Sequence, residues 1–154
     1  MSVFKFIAHL STKRRFSNLE QDQNEALVDT LAAAKMIDGE LHPTEEAELK
    51  ESMKMLDWKG GYPLDQYIDM AVQKGAALTP DPEVMRPYFH DISARLGADW
   101  LRQETYYMAA RIALADEEVQ ESERLFLQTM VECFEIPGDK QALIIRKIRE
   151  EIWQ

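Results

Sequence analysis

The sequence predicts an all-α fold, a single-domain bundle of about seven helices that contains an internal duplication. Three observations support this prediction. Helix-forming residues recur through all 154 residues, whereas the runs of Val, Ile and Thr that are typical of strands are almost absent. Apolar residues repeat with the 3.6-residue period of an amphipathic helix. Hydrophobic residues make up 45% of the chain and charged residues 30%, a balance typical of a globular domain with its own core.

The predicted helices are separated by residues that begin or end a helix. Gly39 is suited to the positive φ of a helix end, Gly97 ends a later helix, and Pro43 suits a first helical turn. Pro87 falls early in one helix and predicts a kink or a later start. We expect helices over residues 20–38, 43–59, 64–77, 81–96, 99–115, 121–136 and 139–153.

Residues 1–19 are predicted to form an N-terminal arm, and residues 20–154 the helical domain. The first sixteen residues contain four basic side chains and no acid, and their apolar residues include Phe4, Phe6, Ile7 and Leu10. Two interpretations stay open. Residues 3–16 make a weak contact with an anionic membrane surface as a short amphipathic helix, or the arm docks on the domain or is disordered.

The net charge of -10 limits the classes of partner. Such a field repels phosphates, so we expect no nucleic-acid binding, whereas cations and basic protein partners are attracted. A protein partner is expected, and a homodimer stays open. The single cysteine, Cys133, excludes an internal disulfide and is expected to be buried in an apolar helix. Without a secretory signal or an apolar run of ~20 residues, we expect a cytoplasmic protein, with the inner membrane face as the alternative for the arm.

Two segments align without a gap when the chain is shifted by 78 residues, so that residues 25–60 correspond to about 103–138. A helical core accepts many apolar residues of similar volume, so core residues are easily substituted between the two copies of a repeat. Acids kept in one interhelical turn while the core changed indicate a role beyond packing. Each turn also carries an aliphatic residue, Leu41 or Val119, that we expect to be buried. The aligned acids are Asp38 with Asp116, Glu40 with Glu118, and Glu45 with Glu123.

These acids predict a cation site if the two turns converge, because carboxylates that surround one point require a counter-charge. Their hard oxygen ligands suit Ca²⁺, Mg²⁺ or Mn²⁺ better than Zn²⁺. The alternative is helix capping, in which acids in a first turn interact with the helix dipole and need no ligand. His42 is either a further ligand or else an N-cap or solvated side chain, and its counterpart is Gln120. The predicted ligands are Asp38, Glu45, Asp116 and Glu123, with Glu40, Glu118 and His42 as supporting or alternate ligands.

The segment AAAKMIDGELHPTEEAEL and its second copy, AARIALADEEVQESERLFL, resemble the TerB-like family, which is associated with bacterial tellurite resistance. The resemblance covers about residues 25–138. It implies an all-helical fold whose motif acids, here Asp38, Glu45, Asp116 and Glu123, hold a divalent cation. Glu117 departs from the pattern because the family usually has Gly there.

No nucleophile–base motif or Gly-rich phosphate loop is present, and no Glu-x-x-His motif of a di-iron bundle occurs. We therefore predict a non-catalytic accessory protein of tellurite or stress response that presents an acidic face to a partner. The alternative is a metal-free helical interaction module.

Overall fold

A computed structural model describes residues 14–37, 39, 41–115 and 118–152. The described chain has seven α-helices and no strand, which confirms the predicted all-α fold. Two short 3₁₀ helices, Arg14–Asn18 and Met53–Met55, accompany them. The α-helices are α1 (Gln21–Met36), α2 (Pro43–Ser52), α3 (Leu64–Ala77), α4 (Pro82–Leu96), α5 (Asp99–Ala113), α6 (Glu121–Cys133) and α7 (Gly138–Ile152).

Most helices begin or end beside the glycine, proline or capping residues from which their ends were predicted. Gly39 and Gly97 both adopt positive φ, at 116° and 73°, after α1 and α4 respectively. The helix α4 begins at Pro82, where the Asp81 carboxylate accepts a hydrogen bond from the backbone N–H of Glu83 at 3.0 Å. Pro87 lies inside α4, so the alternative of a later start is wrong.

The second helix is shorter than the sequence predicts, because tertiary hydrogen bonds hold the chain that follows it. After Ser52 the chain makes a 3₁₀ turn and then a loop. Within this loop the Asp57 carbonyl accepts a hydrogen bond from the Asn24 side chain at 2.9 Å. The Lys59 N–H donates to the Gln21 side chain at 2.7 Å. These contacts with the start of α1 compete with continuation of the helix to residue 59.

The helices on either side of α4 repeat one arrangement. In the first half α3 packs on α1, and in the second half α7 packs on α5 in the same way. The helices α1 and α5 also pack on each other, which joins the two halves at the centre of the bundle. The duplication is approximate, since α6 lies on α4 and α5, whereas α2 lies on α3.

The central helices α1 and α5 begin at the same end of the bundle. The Gln23 side chain, in the first turn of α1, donates to the carbonyl of Leu96 at 2.8 Å. Leu96 is the last residue of α4, and α5 starts three residues later at Asp99. Because α1 and α5 also lie against each other, we expect both helices to run toward the same end of the bundle.

The end of the predicted arm docks on this bundle. Phe16 and Leu19 are buried, and the ring of Phe16 meets that of Trp100 edge to face, with centroids 6.2 Å apart. The apolar residues nearer the N-terminus lie outside the described residues, so their contact with a membrane surface stays a prediction. None of the described helices combines the length and apolarity that crossing a bilayer requires.

Candidate cation site at the two acidic turns

The structure describes part of the predicted ligand set. Glu45, Glu123, Glu118 and His42 belong to the described residues. The remaining candidates, Asp38, Glu40 and Asp116, lie outside the described residues, as does Glu117. Within the part of the chain that is described, no three His, Cys, Asp or Glu side chains are grouped so as to hold a metal ion. The geometry of the two described glutamates therefore defines what each turn can do.

Glu45 joins the end of α1 to the start of α2. One carboxylate oxygen accepts a long hydrogen bond of 3.4 Å from the backbone N–H of His42, the N-cap residue of α2. The other oxygen forms an ion pair with the Lys35 ammonium at 2.9 Å. Both side chains are mostly buried, which reduces the solvent screening of this pair. Glu45 thus both caps α2 and ties it to the last turn of α1.

Glu123 occupies the equivalent position in the second repeat and is almost completely buried, with 2% of its surface exposed. Its carboxylate accepts a hydrogen bond of 2.9 Å from the backbone N–H of Gln120, the N-cap residue of α6. Ala113 stands at the position equivalent to Lys35, so the ion pair of the first repeat is not reproduced by that residue. The two turns share their capping geometry and differ in charge.

The same capping device begins a third helix. The Gln23 side chain accepts a hydrogen bond from the backbone N–H of Glu20 at 2.8 Å at the start of α1. A residue three positions after the N-cap that accepts from the N-cap backbone is one half of a capping box. The glutamates of both turns therefore have the structural role that the capping interpretation assigned to them. In the first turn this role leaves the second carboxylate oxygen of Glu45 for its ion pair with Lys35.

The remaining described residues of the turns differ from expectation in one respect. Leu41 is half-buried against the core, as expected, whereas Val119 is 41% exposed, so the prediction of a buried aliphatic residue in the second turn is wrong. The sequence pattern does not show which of these two turn residues is buried, because the burial of a turn residue depends on which helix lies beside it. His42 is the exposed N-cap residue of α2, and Glu118 is exposed as well.

A second charged cluster, centred on Asp29, was not predicted from the sequence. Asp29 lies within α1 and is 1% exposed. Its carboxylate accepts hydrogen bonds from the Tyr67 hydroxyl at 3.0 Å and from the Arg95 guanidinium at 2.8 Å. The Tyr88 hydroxyl donates to the Asp29 backbone carbonyl at 3.1 Å. The cluster connects α1, α3 and α4, and its only sequence signal is an acid inside the apolar run ALVDTLAAA.

Burial controls the protonation of this cluster. Desolvation raises the pKa of Asp29 above its ordinary value, while Arg95 and Tyr67 oppose that shift. Desolvation and the nearby Asp29 charge raise the pKa of both Tyr67 and Tyr88, so both tyrosines remain hydrogen-bond donors. The arrangement is that of a packed structural ion pair with satisfied hydrogen bonds.

The second repeat contains a related contact in which the residue types are exchanged. Tyr107 occupies the position equivalent to Asp29, and its hydroxyl donates to both carboxylate oxygens of Glu151 on α7, at 2.9 and 2.8 Å. Arg111 donates to the same carboxylate. A tyrosine–carboxylate hydrogen bond therefore joins the third helix of each repeat to the first, α3 to α1 and α7 to α5.

Comparison with known proteins gave no match to any family model, to any curated protein or to any solved structure.

The capping geometry makes a testable prediction. We expect Glu123→Ala to lower the free energy of unfolding by about 1 kcal/mol or more, because it removes the acceptor for the Gln120 N–H at a buried helix start. Glu123→Gln keeps a side-chain oxygen and should cost less than Glu123→Ala. Urea unfolding followed by helical circular dichroism measures both changes. Equal losses for Ala and Gln would show that the carboxylate charge, rather than the cap, supplies the stability.

Proposed function

We propose that this chain is a non-catalytic accessory protein of the TerB-like type that binds a divalent cation between its two acidic turns. In this proposal the bound cation stiffens both turns, and the stiffened turns present an acidic face to a protein partner. The proposed ligands are Asp38, Glu45, Asp116 and Glu123, and the cation is of the Ca²⁺, Mg²⁺ or Mn²⁺ class.

The observation that carries the proposal is the direction of the central helices. The helices α1 and α5 pack on each other and start at the same end, where Gln23 contacts Leu96. Each central helix is followed by one acidic turn, so we expect the two turns to lie near the same end of the bundle. Acids that are distant in the chain are then able to share one ion.

The described glutamates have the chemistry that such an ion requires. Carboxylate oxygens are the ligands preferred by hard divalent cations. One oxygen of Glu45 and one of Glu123 accept a hydrogen bond from the N-cap backbone N–H. These hydrogen bonds fix both side chains in the first turn of the helix that follows each acidic turn. In the first turn a cation has to replace Lys35 as the partner of Glu45. Binding therefore exchanges one counter-charge for a more highly charged one.

We expect Ca²⁺ or Mn²⁺ to raise the melting temperature. A ligand at a hundred times its Kd stabilises the folded state by about 2.7 kcal/mol, or roughly 5–10 °C in melting temperature for a chain of this size. A thermal scan with and without the added ion measures the shift, and NaCl at matched ionic strength controls for screening. The absence of any shift at millimolar concentrations of the ions contradicts the proposal.

Two pairs of charge-removing substitutions locate the ion. Asp38→Asn with Asp116→Asn should abolish the cation-dependent shift and relieve repulsion in the metal-free protein. Asp65→Asn with Glu150→Gln removes the same number of charges from exposed sites on α3 and α7 and should leave the shift intact. An equal reduction in both double variants would indicate nonspecific attraction to the acidic surface.

A metal-free interaction module is the second candidate, and the ion pair between Lys35 and Glu45 favours it. In that case capping and the lysine already satisfy the acids. Asp38→Ala and Asp116→Ala should then each destabilise the protein by about 0.5–2 kcal/mol, as expected for lost caps, whether or not a divalent ion is present.

A further inference from the structure

Lys35 is a mostly buried basic side chain beside the first acidic turn. It lies in the last turn of α1, and its ammonium is 2.9 Å from one carboxylate oxygen of Glu45 on α2. Only 14% of the Lys35 side chain and 19% of the Glu45 side chain are exposed. The ion pair between Lys50 and Asp69 has the same length, but its side chains are 25% and 51% exposed. Because an ammonium is strongly hydrated, its withdrawal from water indicates that the carboxylate holds it in place.

The internal repeat shows that this helix–turn–helix unit does not require a lysine. The equivalent residue in α5 is Ala113, although Glu123 caps α6 just as Glu45 caps α2. A lysine in the last turn of a helix does interact favourably with the helix dipole. That interaction needs neither burial nor contact with the next helix, so it does not explain the position of Lys35. The lysine is therefore specific to the charge of the first turn.

The ammonium occupies the side of Glu45 that a metal ion would use. The other carboxylate oxygen accepts the hydrogen bond from the His42 backbone N–H, which leaves the oxygen beside Lys35 for an ion. An oxygen ligand lies about 2.0–2.6 Å from Mg²⁺ or Ca²⁺, so such an ion would be within roughly 5.5 Å of the ammonium. At this separation two positive charges repel each other strongly where solvent screening is weak. A bound ion therefore requires the lysine to leave Glu45.

We infer that Lys35 is an internal counter-ion that neutralises the first acidic turn until a divalent cation displaces it, and that it thereby sets the cation concentration at which the turn is filled. This regulation rests on the proposed cation binding. The apparent Kd equals the intrinsic Kd divided by the fraction of molecules whose lysine has left Glu45. A lysine that is paired in about nine molecules of ten weakens binding about tenfold.

Calorimetric titration of the full-length protein with Ca²⁺, and separately with Mn²⁺, measures the apparent Kd. We expect Lys35→Met, which keeps an unbranched side chain and removes the charge, to lower the Kd about tenfold. Lys35→Arg keeps the charge and should bind no more tightly than wild type. Lys50→Met is the matched control, because it removes one charge from a 2.9 Å ion pair that contains none of the proposed ligands. Its Kd should change by less than about twofold.

Urea unfolding separates this role from a purely structural one. Without a divalent ion, Lys35→Met should be less stable than wild type, since Glu45 loses its counter-charge. In saturating ion the same variant should be at least as stable as wild type, because no lysine has to be displaced. A loss of the same size under both conditions would show that Lys35 contributes only packing or a charge at the helix end, and would overturn the inference.

The titration also distinguishes failure of this inference from failure of the cation proposal. Equal Kd values for wild type and Lys35→Met, or loss of binding in the variant alone, would overturn the inference and leave the cation proposal intact. Binding by Lys35→Met but not by wild type would support the role of the lysine and contradict cation binding by the wild-type chain. No binding by either protein would overturn both.

A measurement on the wild-type protein covers the case in which Lys35→Met does not fold without the ion. The NMR signal of the Lys35 ammonium should move to the position of a free lysine when Ca²⁺ is added, whereas that of Lys50 should stay in place. A Lys35 signal that remains unchanged at saturating Ca²⁺ would overturn the inference.

Discussion

Replacing Arg95 with methionine is expected to lower the free energy of unfolding by about 2–3 kcal/mol, the largest effect of any charge removal proposed for this protein. Arg95 donates to Asp29 at 2.8 Å, and the Asp29 side chain is 2% exposed, so the substitution leaves a buried carboxylate without its counter-ion. Methionine keeps much of the aliphatic packing of arginine. The Tyr67 hydroxyl still donates to Asp29, which limits the loss.

Arg86→Met is the matched control, because it removes the same group from an exposed site on the same helix. Arg86 lies 3.7 Å from Glu132, and both side chains are about half exposed. A surface pair of this kind contributes about 0–1 kcal/mol. Urea unfolding of both variants measures the difference. Similar losses for Arg86 and Arg95 would contradict a structural role for the buried pair.

The pH dependence of the Arg95 variant follows from the sign of the Asp29 shift. The pKa of Asp29 in the folded protein is raised by burial. A raised carboxyl pKa means that the folded state binds the proton more tightly than the unfolded state does. The stability from this group is therefore present at low pH and is lost as pH rises through the folded pKa. Without Arg95 the pKa of Asp29 should rise further, so the deficit of Arg95→Met should shrink on acidification.

A double substitution separates charge from packing. Asp29→Asn keeps a side-chain oxygen for the Tyr67 hydroxyl and carries no charge. Combined with Arg95→Met, it should recover part of the lost stability and remove the variant's extra pH dependence. A double variant whose loss equals the sum of the two single losses would show that the two side chains are not coupled.

The sequence predicted the elements whose determinants are local. Gly39, Pro43, Asp81 and Gly97 act within one helical turn of their own positions, and the helices start or end beside them. The second helix ends at Ser52 instead of at residue 59, because hydrogen bonds with α1, which is distant in the chain, hold the loop that follows it. Such contacts carry no signal at the place in the sequence where they act.

The acids of the candidate site could be predicted from the sequence, whereas the side chains that contact them could not. Glu45 and Glu123 stood out because both repeats place an acid in the first turn of a helix. Nothing adjacent in the sequence identified Lys35 as the partner of Glu45, since that contact joins two helices across a turn. The burial of Asp29 and its partners were not predictable for the same reason. An acid within a helix is ordinarily solvent-exposed, and only the packing of α3 and α4 buries this one.

Gly75→Val is expected to destabilise the protein by about 2 kcal/mol or more, because it forces α3 away from α1. A Cβ atom at position 75 would lie 3.0 Å from the Cα atom of Ala33 and 3.3 Å from its backbone nitrogen. Backbone atoms cannot move aside as a flexible side chain can. Shortening Ala33 to glycine should therefore fail to rescue the variant, since the Ala33 methyl group is not the obstacle.

Gly61→Val tests whether valine itself, rather than this close approach, is responsible. A Cβ atom at Gly61 meets nothing within 4 Å, so the change should stay within about 0.5 kcal/mol in the same urea titration. A tolerated valine at position 75 would mean that α1 and α3 can separate without loss. Because α1 also carries Asp29 at its contact with α3, separation of the helices should in addition lengthen the hydrogen bond from Tyr67. Hydrogen exchange across both helices would then detect faster opening in the Gly75 variant than in the Gly61 control.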